Sequence, residues 1–497
     1  MKKLVKSKSI KLNMIMNAVL SMSSFIFPLI TFPYVSRILL PAGTGKVSFA
    51  NSIISYFVLF AQLGIPTYGI RACAKLRDDS ERLSKTVHEI FIINAVMSMA
   101  VYIVFLAMLF IVPEMRAEKS LFLVESSLII FSSVGVEWLY RAMEQYTYIT
   151  VRSLIFKLIA LIAMFALIHS EGDYVIYGAI SVFAASASNI LNFFNAHKLV
   201  RIKPYKNYEL KRHLKPVAVF FAMSCATTIY THLDTVMLGF VKTDADVGYY
   251  NAAVKIKSIL VSVVTSLSVV LLPRVSYYIE NKKTDEFHRI TKKVINFVML
   301  IAAPLMVYFM IYAKEGILLL SGEAYAASIL PMQIIMPTLL FIGLTNVMGI
   351  QILVPMGCEK KVLFSEVVGA AVNLVLNAAL IPRFAAAGAA VGTLVAEAVV
   401  WIVQFIELKD TVKAAYKKIK YYAIVLGIAA GAALSFWVKL LNILLIWKLI
   451  ISAAIFFGAY ILILTLMREP VVREIEAQMA GLLRKFRRAG TSKEKET

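Results

Sequence analysis

Two lysines, Lys255 and Lys257, stand inside the apolar run VGYYNAAVKIKSILVSVVTSLSVVLLPR at residues 247–274. A helix of that length reaches about 40 Å at ~1.5 Å per residue, more than the ~30 Å hydrocarbon thickness of a bilayer. A lysine at mid-bilayer costs roughly 2.5 to 3.5 kcal/mol on insertion scales, so charge placed there marks a binding or transport site. Asn251, Lys255, Ser258, Ser262 and Thr265 recur every three or four residues, which puts them on one helical face. Lys257 lies about 200° round the same helix, beside Val254, Val261 and Val264. Lys255 is therefore the expected cavity-lining cation, with an ion pair or outward snorkelling of its long stem as the competing reading.

The preceding run carries a matching stripe of Ser224, Thr227, Thr231 and Asp234. Asp234 is expected either to bind a coupling cation or proton, or to neutralise Lys255. Glu366 and Glu397 occupy other apolar stretches and are further candidates to carry protons. A buried acid kept neutral by its surroundings fits them equally. Arg71 and Arg274 end the second and eighth runs, where they either gather an anionic substrate or act as ordinary membrane anchors. Arg37 stands at the end of the first run where basic residues are scarce, which favours a phosphate contact. The mixed patch Glu137, Arg141 and Glu144 is read as fixing helix ends.

These residues must be positioned by membrane helices. Of the 497 residues, 60% are hydrophobic, against ~45–50% in soluble domains. Fourteen runs reach spanning length, at approximately 12–38, 46–70, 86–112, 120–140, 147–168, 174–196, 214–241, 246–273, 291–313, 327–356, 361–381, 385–406, 420–438 and 445–467. Glu125, Glu137, Lys157 and Glu366 edge or interrupt the fourth, fifth and eleventh. The expected fold is all-α and polytopic. With both termini inside, only nine of the 52 Lys and Arg fall on the outer face, as the positive-inside rule requires. That bias also explains the net charge of +22 without nucleic acid, which needs its basic residues gathered on a solvated domain.

A shift of 203 residues superposes the first two runs on the seventh and eighth. Gly45 falls on Gly248, Arg71 on Arg274, Ser52 on Lys255, Ser48 on Asn251 and Thr31 on Asp234. Because the offset spans six runs, the copies are parallel repeats about an axis along the membrane normal, and the substrate site is expected where they face each other. The organisation expected is an N-terminal lobe at 1–200 and a second lobe at 201–410. Two additional helices and a basic cytoplasmic tail follow at 411–497. In that tail Val472, Ile475, Met479, Leu482, Leu483 and Phe486 recur at helical spacing among basic residues, which suits either a surface helix on an anionic leaflet or a solvated tail.

Other chemistry is not indicated. Gly43-Thr44-Gly45-Lys46 lacks the leading glycine of a phosphate loop, since Leu40 holds that place, and Val47 follows the lysine. His88-Glu89 has no second histidine to complete a zinc motif. Cys73, Cys225 and Cys358 are isolated, which suggests neither a disulfide framework nor a metal site. No cofactor and no catalytic residue is expected, and the Lys-rich N-terminus reads as the start of a retained first helix.

Several stretches carry a family resemblance: FPLITFPYVSRIL (27–39), GIPTYGIRACAKLRDD (64–79), EWLYRAMEQYTYITVRS (137–153), LDTVMLGF (233–240), VGYYNAAVKI (247–256), LLPRVS (271–276), GIQILVPMGCEKK (349–361) and GAAVGTLVAE (388–397). Over about residues 10–410 the chain resembles bacterial polysaccharide repeat-unit flippases of the multidrug/oligosaccharidyl-lipid/polysaccharide exporter superfamily. The resemblance implies two six-helix lobes plus two helices in the cytoplasmic membrane, working by alternating access. Its implied substrate is an undecaprenyl-diphosphate-linked oligosaccharide for surface polysaccharide. The implied partners are membrane lipids, H+ or Na+ and other polysaccharide-assembly membrane proteins. Lys255, Lys257, Arg37 and Arg71 are the positions that would meet the diphosphate, with Asn251 and Ser52 lining the polar groove. The alternatives are a cation-coupled multidrug exporter of the same fold, a peptidoglycan lipid-precursor flippase, and a membrane glycan polymerase or ligase.

Overall fold

The computed structural model describes residues 10–476 apart from 202, 418 and 475, and the described residues are almost wholly helical. The proposed tail helix falls mostly on residues 477–497, outside the described residues. The principal helices are α1 (Ile10–Gln62), α2 (Ile65–Ala74), α3 (Ser80–Ile111), α4 (Lys119–Val134), α5 (Tyr146–Leu167), α6 (Tyr174–Val182), α7 (Lys211–Val241) and α8 (Asp244–Glu280). They continue with α9 (Thr284–Ile311), α10 (Glu359–Glu407), α11 (Tyr421–Phe436) and α12 (Leu445–Leu466).

Among the described residues ten helical stretches are long and apolar enough to cross a membrane, and one bent pair makes an eleventh. The protein is thus a multi-pass membrane protein. Two of the stretches each hold two of the expected runs. Helix α1 has 53 residues and breaks at Leu40 (φ 56°, ψ 178°), just before Pro41. Helix α10 has 49 residues and breaks at Ala385 (φ 46°, ψ −127°), shortly after Pro382. Leu40 immediately precedes a proline, whose ring disfavours helical backbone at that residue, so the chain breaks there.

The chain divides into two compact units, one of residues 1–252, 320–331 and 370–392, the other of residues 253–319, 332–369 and 393–497. In the first, α1 and α5 run parallel in a fixed register. Thr150 Oγ1 donates to Met16 O at 2.9 Å, Lys157 Nζ to Ser23 Oγ at 2.8 Å, and Tyr34 Oη to Ile168 O at 2.8 Å. Each pair is 134 residues apart, so one face of α5 follows α1 along its length. Val35, Leu39, Ala160, Met164, Ile168 and Ile180 fill the apolar part of this seam.

At the start of α3, Glu89 is fully buried. Its carboxylate accepts from the Glu209 N–H (2.7 Å), Arg212 Nη2 (2.5 Å) and His213 Nε2 (2.8 Å). His213 Nδ1 meets Tyr68 Oη at 2.6 Å. The loop before α7 is thereby tied to α2 and α3, since a buried carboxylate is tolerated only when paired and hydrogen-bonded. Just outside α7, Glu209 accepts from Lys85 Nζ at 2.9 Å. That bond, with the lysine charge, holds the Glu209 carboxyl below its ordinary value.

In the second unit, α11 and α12 pack closely, with Gly427 and Gly431 lying against Tyr460 and Phe456. Tyrosine hydroxyls bind the pair to α9. Tyr308 Oη donates to Leu449 O (2.9 Å) and Tyr460 Oη to Leu300 O (2.9 Å), while Tyr312 Oη, at the end of α9, donates to Ser435 O (2.7 Å). Bonds from a ring hydroxyl to a helix carbonyl suit an apolar interior, because the phenol buries its body and still satisfies its tip.

Candidate functional site

Helix α2 follows a tight turn in which Leu63 (φ 48°) and Gly64 (φ 72°) both have left-handed backbones. Glycine is required at 64, because a Cβ there would lie 2.4 Å from the Phe221 nitrogen of α7. A second close approach sets the other side, where a Cβ on Gly69 would lie 2.7 Å from the Trp138 ring. Ile65, Gly69 and Cys73 are consequently buried. Thr67, Arg71 and Ala74 are left on the exposed face. The Arg71 side chain makes no hydrogen bond or ion pair among the described residues. Arg37 is also exposed, and its Nη1 donates to Pro33 O (2.5 Å) and Leu320 O (3.5 Å).

Asp234 of α7 is only 4% exposed. Its Oδ2 accepts from Tyr250 Oη of α8, and its Oδ1 from Asn373 Nδ2 (3.0 Å) and Asn377 Nδ2 (2.6 Å) of α10. Asn377 Nδ2 also donates to Asn373 Oδ1 at 3.0 Å. A carboxylate drawn from water in this way keeps its charge only where several donors converge on it. Asn377 Oδ1 is buried and lacks a hydrogen-bond partner among the described residues. Gly392 makes room for it, since a Cβ there would lie 2.2 Å from that oxygen. An acid, two amides and a phenol from three helices therefore form one buried polar centre.

The first turns of α8 are anchored beside this centre. Asn251 Nδ2 donates to Val247 O (2.9 Å) and to Thr235 Oγ1 of α7 (3.4 Å). Ser52, 5% exposed in the second half of α1, meets His232 Nδ1 of α7 at 3.2 Å. Further along α8, in the second unit, Lys255 and Lys257 are both half-buried. Ser258 and Thr265 bond back to the carbonyls of Val254 and Val261, so these two stripe members satisfy themselves on their own helix. Glu397 is 7% exposed. Glu366 is half-buried. Among the described residues it makes no hydrogen bond or ion pair.

Sequence reasoning missed Tyr250, Asn373, Asn377 and His232. The asparagines left a signal, standing four apart in an otherwise apolar run and hence on one helical face. Tyr250 and His232 left none, since an aromatic residue in an apolar run usually reads as packing. In the mixed patch, Arg141 Nη2 donates to Glu137 Oε1 at 2.7 Å and Arg77 Nη1 to Glu144 Oε1 at 3.1 Å. No group of three His, Cys, Asp or Glu side chains able to hold a metal occurs among the described residues.

The chain has relatives by sequence and by fold. The family model described as "Polysaccharide biosynthesis protein" matches residues 10–279, and that described as MatE matches residues 220–379. A candidate O-antigen transporter of Escherichia coli (strain K12) is 24% identical over 400 residues, covering 79% of this chain and 95% of that protein. The fold is similar to that of a lipid II flippase, MurJ, in an inward closed conformation. The TM-score there is 0.67 at 14% identity, covering 92% of this chain and 100% of that one. An inward-facing multidrug resistance transporter of the MATE family superposes with a TM-score of 0.61 at 13% identity, over 81% of this chain and 99% of that one. The chain belongs to the polysaccharide biosynthesis protein family, a family of membrane transporters within the multidrug/oligosaccharidyl-lipid/polysaccharide exporter superfamily.

Proposed function

We propose that the protein is a flippase that moves polyprenyl-diphosphate-linked oligosaccharide repeat units across the bacterial cytoplasmic membrane by alternating access, with both termini cytoplasmic. The observation that carries the reading is the pair of half-buried lysines in α8. Positive charge inside a long apolar run suits a diphosphate and repels the cationic substrates of a drug exporter. Lys255, Lys257, Arg37 and Arg71 serve the diphosphate, and Asn251 and Ser52 offer hydrogen bonds to sugar hydroxyls. The lobes are residues 1–200 and 201–410, with 411–497 as the additional helices and tail.

Asp234 is the acid best suited to ion coupling. It is buried, accepts hydrogen bonds from Tyr250, Asn373 and Asn377, and adjoins Asn377 Oδ1, which lacks a hydrogen-bond partner among the described residues. A proton or Na+ taken up there alters the charge of a centre joining α7, α8 and α10. Glu366 and Glu397 are secondary candidates.

A multidrug exporter is the second reading, favoured by the MatE match and the multidrug transporter fold. A deletion strain separates the two. Loss of surface glycan with accumulation of untranslocated lipid-linked oligosaccharide is expected. Intact surface glycan with new sensitivity to cationic dyes would overturn the flippase reading in favour of drug export.

A further inference from the structure

Glu125 lies in α4, a membrane-spanning stretch, and is 0% exposed. Among the described residues one neutral donor reaches it, Asn51 Nδ2 of α1, at 3.3 Å from Oε2. Its Oε1 is buried and has no hydrogen-bond partner among the described residues. That oxygen lies against α6 at Gly178, where a Cβ would come within 3.3 Å of it. The carboxyl is thus lodged against the α6 backbone at Gly178.

Among the described residues, Lys46, Tyr174 and Tyr102 of the surrounding helices have partners of their own. From α1, Lys46 pairs with Glu118 at 2.5 Å. From α6, Tyr174 Oη donates to the other Glu118 oxygen at 2.8 Å. Glu118 is seven residues before Glu125, about 10 Å along the helix. From α3, Tyr102 Oη meets Ser126 Oγ at 3.3 Å. No basic group lies within ion-pair distance of Glu125 among the described residues. An ionised carboxylate with one weak neutral hydrogen bond in an apolar interior is far costlier than a neutral acid.

We propose that Glu125 is a proton-binding site in the first six helices, separate from the Asp234 centre, and that it holds its proton in this conformation. Asn51 and Gly178 belong to different helices, so parting α1 from α6 would admit water to the carboxyl and let the proton leave. The site needs neither room for a ligand nor a metal, which suits its closed walls.

Infrared difference spectroscopy of the full-length protein in lipid tests this directly, without reference to transport. The wild type at neutral pH is expected to show the carbonyl stretch of a protonated carboxylic acid, absent in Glu125→Gln and moved in frequency in Asn51→Leu. Glu125→Asp, which retains an acid should the glutamine variant fold poorly, is expected to keep a shifted band. Glu125→Gln, the neutral isostere, should also melt within a few degrees of wild type. Identical carboxylic-acid spectra for wild type, Glu125→Gln and Glu125→Asp would overturn the proposal. So would a carboxylate band that Glu125→Gln removes.

Discussion

Gly45 and Gly248 meet back to back. A Cβ on Gly45 would lie 3.0 Å from the Gly248 nitrogen and 1.7 Å from Asp244 O, and one on Gly248 would lie 2.1 Å from Pro41 O. The 203-residue offset expected from the sequence pairs these same two positions. Small residues let helices approach at backbone distance in a membrane. Gly45→Val or Gly248→Val is expected to cost about 2 kcal/mol through forced separation, read as a lower melting temperature in detergent. Unchanged melting for both would show that the crossing tolerates side chains.

The Asp234 centre makes a sharper prediction. Asp234→Ala leaves Tyr250, Asn373 and Asn377 without their shared acceptor, at a cost of roughly 3 kcal/mol. Asp234→Asn preserves shape and is expected to fold. Its transport should no longer respond to an imposed proton or sodium gradient, while downhill exchange continues. A gradient response equal to wild type in Asp234→Asn would remove Asp234 from coupling.

Glu89→Ala is expected to destabilise the protein by about 3 kcal/mol, because Arg212 and His213 lose the carboxylate that pairs them inside the fold. The partial exposure of Arg212 sets this at the low end of the range for buried pairs. Proteolysis in the 198–211 loop should rise in step. Glu209 adds a pH signature. Its carboxyl is depressed in the folded protein, so its contribution is present above the unfolded value of ~4.3 and fades as pH falls through the lower folded value. Glu209→Gln should therefore lower the melting temperature at neutral pH and do so less as the medium is acidified.

The membrane class and the family were legible in the sequence because both rest on long-range averages, namely run length, charge bias and dispersed motifs. Asp234 was legible as a lone acid in an apolar run. Its partners were not, because Asn373 and Asn377 come from a run 140 residues away, and no local pattern says which helices will pack. The breaks at Leu40 and Ala385 divide α1 and α10 at non-helical residues, so each holds two of the expected runs joined end to end. Pro41 marked the first break in the sequence, and Pro382 stands only three residues before the second. Glu125 was visible only as an interruption. Its isolation is a property of packing, since α1 and α6 supply an amide and a glycine where a cation could have stood.

The α8 lysines are proposed to serve an anionic lipid-linked substrate. Purified protein in vesicles, supplied with a fluorescent polyprenyl-diphosphate oligosaccharide, reads this directly as the rate at which label crosses the bilayer. Lys255→Ala should slow translocation at least tenfold, equivalent to about 1.4 kcal/mol, while Lys255→Arg, which keeps the charge, should recover most of it. Translocation at the wild-type rate in Lys255→Ala, with the protein correctly folded, would contradict the account.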